Sequence, residues 1–255
     1  MSIYEAIFNR CSVREYEMEK LAPGRLEALE RYLKNIALLD EEKTVKFEII
    51  DNSDGKQKIH GLWKVEAPYY LAVYCGNDQL SVRNAGYAAE QAVLYLTSKE
   101  LGTCYLGATK AGEEKKDGLK RFLVIAFGRA AGCPSRDSSL AHRASLAALC
   151  VFKDEPGEQV KAILRAARLA PSSFNSQPWR FVVYSDRIYI FAKKTLPFSG
   201  KEKHAFKEFN IGIMLSHIML AAEELWMNME TQVEDQFAKK DYKNGEYVCT
   251  IMFHS

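Results

Sequence analysis

No two cysteines of this 255-residue chain form a C-x-x-C pair, although six are present, at positions 11, 75, 104, 133, 150 and 249. That spacing removes a zinc ribbon or a dithiol redox motif. Several of the six lie inside apolar segments, which reads as small buried thiols rather than disulfides. The five histidines are scattered and never fall four apart on a helix, so they suggest no metal cluster. There is no G-x-G-x-x-G, no P-loop and no G-x-S-x-G, so a Rossmann dehydrogenase, a kinase and a serine hydrolase all lose support. No apolar run approaches the ~20 residues that a membrane span requires, and the region after Met1 is polar rather than signal-like. The expectation is a soluble, cytoplasmic chain with no membrane partner. Charge of one sign is also missing: 35 Lys and Arg stand against 33 Asp and Glu, a net charge of +2. A nucleic-acid partner is therefore not expected.

What is present is a core and a repeated order of elements. The 47% hydrophobic content suffices for one large domain or two small ones. The first half predicts an amphipathic segment at Ile3–Cys11, a helix at Arg25–Ile36, strands at Phe47–Ile50 and Tyr69–Tyr74, an apolar helix at Ala85–Leu101 and a strand at Phe122–Phe127. The second half predicts the same order: helices at Ala144–Leu149 and Gly157–Leu169, strands at Phe181–Tyr184 and Ile188–Phe191, an apolar helix at Ile211–Leu225 and a last strand at Tyr247–Phe253. Gly86-Tyr87-Ala88-Ala89 echoes Gly212-Ile213-Met214-Leu215, and a helix apolar on nearly every face must be buried all round. The expected fold is α+β: mixed β-sheets flanked by helices, with two central buried helices. It would be a tandem duplication of residues 1–133 and 134–255, joined through the polar stretch Ala131–Ser139.

Three segments carry chemistry. Ala170-Pro171-Ser172-Ser173-Phe174-Asn175-Ser176-Gln177-Pro178-Trp179 lies between a predicted helix and a predicted strand. Proline, serine and asparagine are ordinary turn residues there, yet their hydroxyl and amide groups also suit a planar, heteroatom-rimmed ligand. Near the N-terminus, Arg10-Cys11-Ser12-Val13-Arg14 spaces two guanidinium groups four apart, on one face if helical, with a hydroxyl between them. That pair reads either as a solvated face or as a fork for a terminal phosphate. Glu100–Ala108 follows the first apolar helix, and Gly107 there would let the main chain approach a ring, or simply mark a glycine-rich helix exit.

Taken in order, these segments resemble the signatures of the nitroreductase-like flavoproteins, and the resemblance extends over essentially the full length, closest to the single-chain, internally duplicated members. It implies an FMN-dependent oxidoreductase that passes electrons from NAD(P)H, through hydride delivery to the flavin N5, to a small organic acceptor such as a nitroaromatic, quinone or enone. By resemblance, Arg10, Ser12 and Arg14, with Cys11 among them, hold the FMN phosphate, and Arg136 is an extra contact. Pro171, Ser172, Ser173, Asn175 and Gln177 border the ring, Gly107 offers a backbone N–H near N5, and Lys64 approaches the pyrimidine edge. No catalytic side chain stands out. Cys11 and Phe174 depart from the family pattern. The counterpart of the arginine motif, Arg143-Ala144-Ser145-Leu146-Ala147, lacks the second cation, and the counterpart of the Pro-Ser-Ser loop, Asn35–Asp40, has lost that motif. One FMN per chain follows, in a monomer acting as a pseudo-dimer or a further oligomer. The rival readings are an FMN-binding protein without NAD(P)H turnover, a family variant that dehalogenates or breaks down flavin, and a purely structural duplicated domain.

Overall fold

The structure is a computed structural model and describes residues 1–57, 59, 65–107, 111–194, 200–240 and 242–254; the side chains of residues 200–202 are not described. The chain divides into two compact units, Met1–Ala141 and His142–Ser255. The stretch Ala131–Ser139 belongs to the first, where the Ala131 N–H donates to the Glu15 carbonyl at 3.0 Å and Arg10 bridges to Ser135. Among the described residues no helix is long and apolar enough to cross a membrane.

In the first unit, α1 (Ile3–Asn9) opens on a capping box. The Glu5 N–H donates to Ser2 Oγ at 3.0 Å, and the Ser2 N–H donates back to Glu5 Oε2 at 2.7 Å. Next come α2 (Pro23–Lys34), β1 (Val45–Asp51), β2 (Tyr69–Cys75), α3 (Gln79–Ser98), β3 (Gly102–Leu106), the two-residue β4 (Lys115–Lys116) and β5 (Leu119–Gly128). The sheet runs β1-β2-β5-β3, antiparallel throughout, with β4 beside β5. Every residue of β2 is buried, which places it at the centre of the core. α3 begins earlier than the apolar pattern suggests because Asp78 caps it: its Oδ1 accepts from the Ser81 N–H at 3.0 Å.

The second unit contains α4 (Leu146–Leu149), β6 (Cys150–Phe152), α5 (Glu158–Leu169), β7 (Trp179–Val183), β8 (Arg187–Lys193), α6 (Gly200–Glu224), β9 (Asn228–Gln232), α7 (Asp235–Ala238) and β10 (Gly245–His254). Its sheet runs β6-β7-β8-β10-β9, parallel only between β6 and β7. α6 starts well before the expected Ile211, because its first turns are charged and carry no apolar stripe. Lys207 and Glu208 are nonetheless buried there, and Lys207 pairs with Glu246. β3, β6 and β9 are absent from the sequence expectation. β6 is short, and β9 is a polar, mostly exposed edge, so neither carries a readable alternation.

The order β1-β2-β5-β3 of the first unit recurs in the second as β7-β8-β10-β9, again antiparallel. β5 and β10 are both ten residues long. Each carries a register shift at its fourth residue, Phe122 facing β2 and Val248 facing β8. Bulges of this kind are retained features of a strand rather than accidents.

β3 seats the segment that follows α1. The Val13 N–H donates to the Thr103 carbonyl at 2.9 Å, and a Cβ built on Gly102 would stand 2.8 Å from Val13 Cβ. Gly102→Ala should therefore force the two backbones apart and lower stability by roughly 1–3 kcal/mol, measured by urea unfolding. Adding Val13→Ala to that variant should restore part of the loss.

Candidate functional site

Helix α1 stops at Asn9, so Arg10 and Arg14 do not share a helical face. Residues 10–16 run extended, with bridges from Ser12 to Thr103 and from Tyr16 to Ala130. The reason is local. No intrahelical bond continues past the Arg10 N–H, which donates to Ala6 O at 2.9 Å, and the edge of β3 takes over the backbone partners of the next residues. In extended chain, side chains two apart share a side, so Arg10, Ser12 and Arg14 sit at positions of one parity, which a helix would not provide. Arg10 is buried, whereas Ser12 and Arg14 are exposed.

Both guanidinium charges act on β3. Burial pushes the Cys104 thiol above its ordinary range, and the charges of Arg14 and then Arg10 pull it part of the way back. Burial also raises the Tyr105 phenol well above its usual value, and the neighbouring Glu90 raises it further, while Arg10 opposes both. Tyr105 therefore stays a neutral donor, and its hydroxyl gives a 2.6 Å hydrogen bond to Glu90 Oε2. Cys11 is half-buried and its thiol donates to the Pro134 carbonyl at 3.5 Å. Arg136 lies beside this segment, its N–H donating to the Asn9 carbonyl at 2.8 Å. Two buried polar atoms here, Thr103 Oγ1 and Arg136 Nε, have no hydrogen-bond partner among the described residues.

The second candidate segment follows α5. Pro171 lacks an N–H and ends that helix. Gln177 Oε1 accepts from the Ala144 N–H at 2.8 Å, and the Gln177 N–H donates to Ser172 Oγ at 2.9 Å. Asn175 Oδ1 accepts from Arg143 Nη1 at 3.0 Å, and Asn175 Nδ2 donates to the His142 carbonyl at 2.9 Å. Both amide side chains are thus engaged in closing the loop on residues 142–144. The serine hydroxyls keep spare capacity: Ser172 Oγ accepts, leaving its proton, and Ser173 Oγ donates to Asn210 Oδ1 at 3.3 Å, leaving its lone pairs. Phe174, Asn175 and Gln177 all have left-handed backbone, with φ of 53°, 54° and 43°.

Gly107 is exposed in the turn that ends β3, and Lys64 lies outside the described residues. Sequence reasoning missed Thr103, Arg143, Asn84 and Asn210. Asn210 Oδ1 accepts from the Ser173 N–H at 3.1 Å, and Asn84 Oδ1 accepts from the Leu39 N–H at 2.7 Å. The signal was available, since Asn84 and Asn210 each stand two residues before the glycine of the echoing segments at Gly86 and Gly212.

A family model described as "Putative TM nitroreductase" matches residues 2–222. The chain belongs to this nitroreductase family. Among solved structures, one described as a putative nitroreductase from Thermotoga maritima is similar over 99% of this chain and 94% of its own, at 19% identity and a TM-score of 0.65. A nitroreductase family protein from Clostridium difficile aligns over its whole length with 61% of this chain, at 15% identity and a TM-score of 0.50. Both are likenesses of fold. No curated protein sequence matches.

The loop's shape depends on Asn175, which both bonds across the loop and tolerates left-handed backbone. Asn175→Ala should remove the contacts to Arg143 and His142 and add strain, costing about 1–3 kcal/mol. Thermal unfolding and faster proteolysis at residues 171–177 would measure it.

Proposed function

We propose that the chain is an FMN-dependent oxidoreductase that moves electrons from NAD(P)H to a small organic acceptor. One observation carries the reading: the extended segment after α1 brings Arg10, Ser12 and Arg14 beside β3, next to two buried polar atoms without partners, Thr103 Oγ1 and Arg136 Nε. A buried, unpaired donor costs about 1–3 kcal/mol, and an anion oxygen would recover that cost. Guanidinium groups also match phosphate geometry. The residues present therefore fit a phosphate-bearing cofactor.

In this reading Arg10, Arg14 and Arg136 bind the phosphate with Ser12, and Cys11 lines the same segment. The loop Pro171–Gln177 borders the ring, with the Ser172 proton and the Ser173 lone pairs directed to its heteroatoms. Asn175 and Gln177 hold the loop's shape, Gly107 offers backbone, and Lys64 would add a cation. When bound, the flavin supplies the electron transfer itself. The chain's own residues bind and orient it, and no side chain is assigned the role of proton donor.

The chain is further read as a tandem of two copies, residues 1–133 and 134–255. The shared four-strand order, the matched bulges at Phe122 and Val248, and the matched asparagines Asn84 and Asn210 support this. Only the first copy retains both arginines of the phosphate motif, and only the second retains the Pro-Ser-Ser loop.

Two measurements test the proposal. Flavin released from the purified protein should approach one FMN per chain and bleach with NAD(P)H; a ratio near two defeats the argument from motif loss. Arg14→Ala removes a charge-assisted bond worth roughly 1.5–3 kcal/mol, so FMN affinity should fall by about tenfold or more. Riboflavin, which has no phosphate, should be much less affected. Equal loss for both ligands would assign Arg14 to the fold.

A further inference from the structure

We infer that the first unit carries a ligand site separate from the FMN reading: a cleft for a small zwitterion of dipeptide size, with the ammonium on Glu100 and the carboxylate on Arg129. An open cleft of about 480 Å³ lies wholly within this unit, lined in part by Glu17, Arg25, Thr97, Glu100, Arg129 and Pro134. That volume is in the range of small-molecule sites. None of the residues assigned above to FMN lines it. Two acids and two bases therefore share one space. Glu17 and Arg129 are neighbours on paired stretches of chain, because the Glu17 N–H donates to the Arg129 carbonyl at 3.0 Å. Yet among the described residues none of Glu17, Arg25, Glu100 and Arg129 enters an ion pair. Opposite charges that line one cleft without closing on each other suit a ligand that carries both signs. An ion of one sign would meet its like charge as well.

Glu100 is the residue that the fold alone does not explain. It follows Lys99, the C-cap of α3. Its N–H donates to the Thr97 carbonyl at 3.0 Å, and the Leu101 N–H donates to the Leu96 carbonyl at 3.1 Å. Those two bonds make a helix end that favours glycine at this position, and Glu100 has left-handed backbone there, with φ of 62°. Its carboxylate also stands at the negative end of the helix, which favours a cation. Glycine would avoid the first cost and lysine the second. Backbone strain of this kind clusters at ligand clamps. Beside it, the Thr97 hydroxyl donates to the Val93 carbonyl at 2.8 Å and keeps its lone pairs. A carboxylate and a hydroxyl lone pair together accept from an ammonium. Arg25 gives one N–H to the Lys99 carbonyl at 3.3 Å, whereas the Arg129 guanidinium meets no acceptor among the described residues. Its planar fork matches a carboxylate.

The test titrates alanyl-leucine into the purified full-length chain and follows the amide NMR shifts of residues 97–101 and 129–135. Both stretches should shift together and saturate. N-acetyl-alanyl-leucine lacks the ammonium and alanyl-leucinamide lacks the carboxylate, and each should bind about tenfold more weakly or worse. Glu100→Gly should weaken alanyl-leucine by about the same factor without weakening the N-acetyl form. It should also unfold at an equal or higher temperature, because glycine suits the helix end. Arg129→Gln should weaken alanyl-leucine likewise and spare the amidated form. Bound flavin should be the same in both variants as in the wild type, and the peptide should bind whether or not flavin is present. Absence of a saturable shift up to about 10 mM peptide would overturn the site. So would equal affinity for the three peptides, or a Glu100→Gly variant that binds as the wild type does or unfolds at a lower temperature.

Discussion

A helix buried on every side has no water for its polar groups, so each must find a partner in a neighbouring segment. That constraint organises both candidate segments. On α3, the fully buried Glu90 accepts from Tyr105, which fixes β3, the strand that seats residues 10–14. Asn84 on the same helix holds residues 39–43, accepting from the Leu39 N–H and donating to the Asp40 and Lys43 carbonyls. On α6, Asn210 takes both the N–H and the hydroxyl of Ser173. A few buried amides and carboxylates thus set the geometry of loops whose own sequences would allow many shapes.

The two segments solve opposite problems. Residues 10–14 gather positive charge at a strand edge, where Arg10 is buried and Arg14 is open to solvent. Buried polar atoms left unpaired are unfavourable, and among the described residues Thr103 Oγ1 and Arg136 Nε stand so beside this segment. The loop after α5 instead concentrates backbone strain, with three non-glycine residues in left-handed conformation held by side-chain amides. Strain of this kind persists only where the surroundings over-determine it. The first segment provides charge and the second provides shape, each set within its own unit.

Much was legible in the letters. The hydrophobic periods located both long helices and the central strands, since β2 is apolar throughout and α3 carries a long run of small and apolar residues. Pro171 marked the end of α5, and the order of the three motifs carried the family resemblance. Short or polar elements stayed hidden: β9 is an exposed edge, and the first turns of α6 are charged although Lys207 and Glu208 are buried.

By itself, then, the sequence determined which residue types are available, where the chain must turn and which helices have to be buried, because composition and periodicity act locally. Only the tertiary structure decided how those residues are used. It made residues 10–14 extended rather than helical, since the edge of β3 offered partners that α1 could not. It turned Asn175 and Gln177 into braces, since Arg143 and Ala144 come to them from a distant stretch of chain. It left the Phe174 ring in the open for the same reason, because a loop tied on both sides cannot fold its aromatic back onto the core.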